Sequence, residues 1–164
     1  MVYVLDRGGA TKEVFGSLKE AALKSAATLG PDRKFQIVFW HNDSEDAAYP
    51  ASSTTYASKE NIAAATRAID DVFAFGASDA GPAIQKAVAQ SPNVIVLATA
   101  KGDQLENSWT DTMLTARGSS NVKIDTIDLS SSGSASQPMK NLAAKTGGQY
   151  LQVSSSTLSA FANR

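Results

Sequence analysis

The stretch "VYVLDRGGATKEVFGSLKEAALKSAATLGPDRKFQIVFW" (residues 2–40) decides the fold. Val2 to Leu5 form a short unbroken apolar run, and "KFQIVFW" (34–40) forms another. Between them Phe15, Leu18, Ala22, Ala26 and Leu29 recur at steps of three and four. Continuous apolar runs of this length predict strands buried on both sides, and the spacing between them predicts one face of a helix. Thr11 stands where a cap would begin that helix, and Gly30-Pro31-Asp32 breaks it. Strand, helix and strand in this order make the unit from which parallel sheets are assembled.

The same alternation continues outward. "HNDSEDAAYPASSTTYA" (41–57) has only a short apolar patch broken by Pro50, which predicts a loop and a weak edge strand. Ser58 is placed to cap a helix running to about Asp71. "FGASDAGPAIQKAVA" (75–89) turns and starts another, with Pro82 suited to its first turn, and "NVIVLAT" (93–99) is the most strand-like segment of the chain. A helix from about Glu106 to Ala116 and a strand "VKIDTIDL" (122–129) follow. The serine-rich "LSSSGSASQP" (129–138) reads as a solvated loop. A helix around Met139 to Lys145, ended by Gly147-Gly148, and a last strand "QYLQV" (149–153) complete the series. The pattern predicts one α/β domain over residues 1–164, with a doubly wound, mostly parallel sheet covered by helices on both faces. In such a sheet the ligand site lies beyond the carboxyl ends of the strands, which places Asp6 and the loops at 76–79 and 99–103 on one rim.

Composition narrows the function. The 164 residues suit one sizeable core, and 15 basic against 16 acidic residues give a net charge of −1. That balance supplies no electrostatic reason for nucleic acid or an anionic membrane as partner. The absence of cysteine excludes disulfide and thiolate chemistry and is compatible with reducing and oxidising compartments alike. No apolar run approaches the roughly 20 residues of a membrane span, so the domain is not expected to insert into a bilayer.

Four blocks, "VYVLDRGGA" (2–10), "LGPDRKFQIVFWHND" (29–43), "FGASDAGPAIQKAVAQSPNVIVLAT" (75–99) and "IDTIDL…LAAKTGGQYLQV" (124–129 and 142–153), resemble in that order successive blocks of a von Willebrand factor type A domain of the bacterial kind. The resemblance implies a six-stranded sheet with one antiparallel edge strand and a metal-ion-dependent adhesion site at the top. The family's site takes D-x-S-x-S from a first loop, a threonine from a second and an aspartate from a third. These groups hold a magnesium-like ion, completed by water and by an acidic group of the partner. Here Asp6 matches the first aspartate, Gly8 and Ala10 stand at the serine positions, Ser78 takes the threonine position and Ala100 that of the third-loop aspartate. Only Asp6 and Ser78 of the five groups remain, so the expected site is degenerate and metal-free, with no cofactor. Asp79 and Asp103 are carboxylates that could rescue a cation site from shifted positions. Arg7, beside Asp6, could supply positive charge to an acidic partner without any ion.

Other readings attach to the same residues. Asp6 can accept hydrogen bonds from loop and helix amides and hold the top loops together. His41, Asp43, Glu45 and Asp46 in "HNDSED" read as a polar turn or, less simply, as a metal cluster. "GASDA" approaches the G-x-S-x-G nucleophile elbow around Ser78, but the only histidine, His41, precedes it, whereas the hydrolase order puts histidine last. A dinucleotide fingerprint is missing, and Pro82 stands where a phosphate loop would place lysine. Trp40 and Trp109 read as packing residues, with Trp109 and Leu105 as an exposed anchor in the alternative. The expected function is a noncatalytic protein-interaction module whose partner is another protein or another domain of its own parent chain. The alternatives are a scaffold domain with no ligand at its top face and an esterase-like hydrolase built on Ser78. Met1 abutting the first strand leads to the expectation that the domain is excised from a longer protein.

Overall fold

Side-chain alternation along the first strand sets the layers of the structure, a computed structural model describing residues 1–40 and 48–163. Strand β1 (Val2–Asp6) is buried at every position. Its Tyr3 and Leu5 share one core with Phe35, Ile37 and Phe39 of β2 (Lys34–Trp40), while Val2 and Val4 share a second core with Val38 and Trp40. Helix α1 (Phe15–Thr28) covers the first side through Phe15, Leu18, Ala22 and Ala26. Residues 41–47, which include His41, Asp43, Glu45 and Asp46, lie outside the described residues.

The remaining elements follow the predicted order, with two short strands where one edge strand was expected and a further helix at the end. They are β3 (Ala48–Tyr49), β4 (Thr55–Tyr56), α2 (Lys59–Ile69), α3 (Gly81–Val88), β5 (Val94–Thr99), α4 (Ser108–Arg117), β6 (Lys123–Asp128), α5 (Gln137–Thr146), β7 (Tyr150–Gln152) and α6 (Ser155–Ala162). The sheet runs β3-β2-β1-β5-β6-β7; β3 is the antiparallel edge, and the short β4 pairs antiparallel with β2 off this path. All other pairings are parallel. The first core takes residues from α1, α2 and α6, and the second from α3, α4 and α5. The connection after β1 therefore goes to one face and the connection after β5 to the other, which makes the carboxyl ends of β1 and β5 a topological switch point. No helix among the described residues is long and apolar enough to cross a membrane.

Local chemistry explains most boundaries. Ser58 caps α2 by accepting from the Asn61 N–H at 3.2 Å, and Pro82 sits in the first turn of α3. Three expectations change. Thr11 does not start α1: a 3-10 turn (Gly9–Val14) intervenes, and the Thr11 hydroxyl is buried and accepts from the Ala100 N–H at 3.4 Å. Helix α6 has no counterpart in the sequence reading, although Ser154 caps it by accepting from the Thr157 N–H at 3.2 Å. The serine-rich loop is solvated only in its middle, since Leu129, Ser130 and Ser136 are buried.

One long-range contact fixes the α2–α3 connection. Lys19, on α1, donates from Nζ to the carbonyls of Ile69 (2.9 Å), Asp70 (2.8 Å) and Val72 (3.0 Å). A cation at a helix C-terminus meets carbonyls that have no partner within the helix. Replacing Lys19 with Met keeps the aliphatic stem and removes all three bonds. The expected result is a loss of about 1–2 kcal/mol in chemical denaturation, larger than for a charge-removing change at the exposed Lys140; equal losses would show that the three bonds carry no stability.

Candidate functional site at the carboxyl edge of the sheet

Asp6 ends β1 and is fully buried. Its Oδ1 accepts from the Gly8 N–H and from the Ser78 hydroxyl, both at 2.7 Å, and its Oδ2 accepts from the Thr99 hydroxyl at 2.6 Å. The three donors belong to three segments: the turn after β1, the connection before α3 and the end of β5. Backbone bonds tighten the same junction, from the Gly9 N–H to the Gly76 carbonyl and from the Phe75 N–H to the Arg7 carbonyl, each at 2.8 Å. Lys101 adds two more, its N–H to the Thr99 hydroxyl at 2.9 Å and its Nζ to the Ser78 carbonyl at 3.0 Å. Of the donors on the Asp6 carboxylate, one is an amide and two are hydroxyls; none is an amide of a neighbouring α-helix.

Each position singled out from the sequence has a definite place. Gly8 has ordinary extended angles (φ −76°, ψ 168°), so its backbone does not demand glycine. Space does: a Cβ there would lie 2.5 Å from Ser78 Oγ and 2.9 Å from Asp6 Oδ1. Ala10 and Ala100 line a cleft of about 660 Å³ together with Glu13, Asp103 and Ser130. Asp103 is exposed, whereas Asp79 accepts from the Gly81 N–H at 3.0 Å and steadies the start of α3. Arg7 lies with its guanidinium carbon 5.7 Å from the centre of the Phe75 ring, and its Nε is buried with no acceptor among the described residues. Trp40 is buried, and Trp109 and Leu105 pack partly buried against the second core. Among the described residues no three acidic or histidine side chains come together as a metal cluster.

A second buried carboxylate, unremarked in the sequence, sits two strands away. Asp128 ends β6 directly opposite Thr99 in register and is fully buried. Its Oδ1 accepts from the Ser130 N–H (3.0 Å), and its Oδ2 from the Ser136 N–H (3.1 Å) and the Tyr150 hydroxyl (2.9 Å). Gly102 passes so close that any Cβ there would overlap this carboxylate. Burial, then the hydrogen bond to Asp128 and its negative charge, push the Tyr150 phenol up to about 12. The signal was present in the sequence, since an aspartate ending a parallel strand applies to Asp128 as it does to Asp6. Thr99 and Lys101 carry no comparable mark.

No protein-family model matches the sequence, and no curated protein matches it. Solved structures do match. A von Willebrand factor type A protein from Catenulispora acidiphila superimposes with a TM-score of 0.75 at 17% identity, over 99% of this chain and 40% of that one. The VWA domain of SpRpn10 gives 0.71 at 14% identity, over 99% of this chain and 92% of that one. The pilus adhesin SpaC from Lactobacillus rhamnosus GG gives 0.69 at 9% identity, over 99% of this chain and 29% of that one. The chain thus spans less than half the length of the first and third. The fold is that of the von Willebrand factor type A domains.

Two outcomes test the polar edge. Asp6→Ala leaves the Ser78 and Thr99 hydroxyls and the Gly8 amide without their acceptor, and is expected to cost on the order of 1–3 kcal/mol in denaturant titration; unchanged stability would remove the carboxylate from this organising role. A phenol with a raised folded pKa contributes stability that is complete below the unfolded value and is lost as pH climbs through the folded one. Tyrosinate absorbance should therefore show Tyr150 ionising near pH 12, above the ordinary range of a tyrosine phenol. That late step should vanish in Tyr150→Phe, whose stability should approach that of wild type over the same interval; superimposable titrations would contradict the assignment.

Proposed function

We propose that the domain is a noncatalytic protein-interaction module whose degenerate adhesion site works without a metal ion. The observation that carries this reading is the occupancy of the Asp6 carboxylate, whose oxygens already accept from Gly8, Ser78 and Thr99. A carboxylate has about four acceptor positions. Magnesium surrenders its waters reluctantly and needs several hard oxygens in near-octahedral array. Three of the acceptor positions on Asp6 are taken, which leaves at most one, on Oδ2, for an ion; Ala10 and Ala100 offer no side-chain oxygen, and the space a serine at position 8 would need is filled by Ser78. The residues present do not fit the ion, and no step is assigned to it.

The noncatalytic reading draws support from Ser78. Its hydroxyl proton is directed at Asp6, at 2.7 Å, so the serine serves as a clasp between loops rather than as a nucleophile paired with imidazole. The partner is another protein or another domain of the parent chain, and the presence of a pilus adhesin among the structural neighbours is consistent with that role. Millimolar magnesium or manganese is expected to leave the melting temperature unchanged, because a ligand stabilises a fold only in proportion to its occupancy of the native state. A saturable rise abolished by Asp6→Ala would overturn the metal-free reading.

A further inference from the structure

The segment between α2 and α3 carries two large rings that the fold does not bury. Phe73 is 68% exposed and Phe75 is 52% exposed, while Ala74 between them is 8% exposed and packs into the first core. Burial alternates along this segment, with Ala74 turned into the core and the rings on either side of it turned out. The backbone beneath them is not free to turn them in. It is held through the Val72 carbonyl by Lys19, through the Phe75 N–H by Arg7, through the Gly76 carbonyl by Gly9, and through the Ser78 carbonyl and hydroxyl by Lys101 and Asp6. Two phenylalanines presented on a braced segment form an apolar patch rimmed by charge, the composition from which binding surfaces are made.

The charge around the rings is of one sign at one end. Arg7 lies against Phe75, has a buried Nε without an acceptor, and among the described residues has no carboxylate within 4.0 Å. Asp6, its chain neighbour, has its oxygens engaged by internal donors, and Lys101 adds a second cation on the Ser78 side. At the other end Lys19, 6.0 Å from the centre of the Phe73 ring, lies within the field of Asp70 and Asp71. The patch is cationic beside Phe75 and near neutral beside Phe73.

We propose that Arg7, Phe73 and Phe75 form the contact surface for an acidic, apolar segment of a partner protein. A carboxylate of that segment meets the Arg7 guanidinium, and an apolar side chain lies across the two rings. A guanidinium that lies over the Phe75 ring is placed to meet a carboxylate beside it, and the braced backbone beneath the rings has little freedom left to lose on binding. The inference rests on the reading of the domain as a protein-interaction module. It replaces the lost ion by a side-chain cation on the α2–α3 side of the face.

The test is selection of a phage-displayed random peptide library on the whole chain in the presence of a chelator, followed by titration of the selected peptides as synthetic molecules. The expected peptides carry Asp or Glu next to an aromatic or branched aliphatic residue. Phe73→Ser, whose side chain is mostly solvated and whose fold is checked by melting, should weaken them about ten-fold or more. Arg7→Gln should do the same, and changing the peptide's acid to its amide should cost affinity in wild type but not in Arg7→Gln. Selected peptides that lack acids, or that bind Phe73→Ser and Arg7→Gln as well as wild type, would overturn this surface and leave the interaction module standing. No selected peptide at all would overturn both.

Discussion

A carboxylate withdrawn from water is tolerable only where donors converge on it, and the Asp6 carboxylate is withdrawn completely. Its donors come from the turn after β1, the connection before α3 and the end of β5, so satisfying one side chain fixes the relative positions of three loops. Asp128 repeats the arrangement two strands on, drawing in both ends of the serine-rich loop and the Tyr150 hydroxyl. Thr99 stands between them, bonded to Asp6 and opposite Asp128 in register. The upper edge of the sheet is thus organised by two internal anions and a row of hydroxyl and amide donors.

That organisation divides the face above it. On the side of α1 and the 3-10 turn after β5 (Gly102–Gln104), Glu13 and Asp103 line a cleft of about 660 Å³ together with Ala10 and Ala100. On the other side, the braced segment from Val72 to Ser78 shows two rings and has Arg7 and Lys101 at its flank. The two sides differ in texture, and acidic groups border the cleft where cations flank Phe75. Asp6, the carboxylate between them, is turned inward.

The sheet was legible because its evidence is periodic. Continuous apolar runs at 2–5, 34–40 and 93–99 leave little alternative to buried parallel strands, and Ser58 and Pro82 mark helix starts by chemistry specific to those positions. Helix α6 was not legible: "SSTLSAFA" is rich in serine and threonine and shows an apolar face only once Leu158 joins the first core beside α1. Thr11 misled because cap residues also serve as buried acceptors. The composition of "LSSSGSASQP" concealed that its ends are bound by a carboxylate immediately before it. Phe73 and Phe75 have the sequence appearance of core residues, and only the anchoring of the backbone around Ala74 shows why they are not.

The clasp on Asp6 has a consequence for the order in which the chain folds. Its side-chain donors lie 72 and 93 positions away in sequence, so they reach the carboxylate only after β1 and β5 have paired and the α2–α3 connection has been laid across them. Contacts of such separation close loops of about half the chain, and that entropy has to be met before they form. The carboxylate is therefore sealed from water only when the whole upper edge is in place.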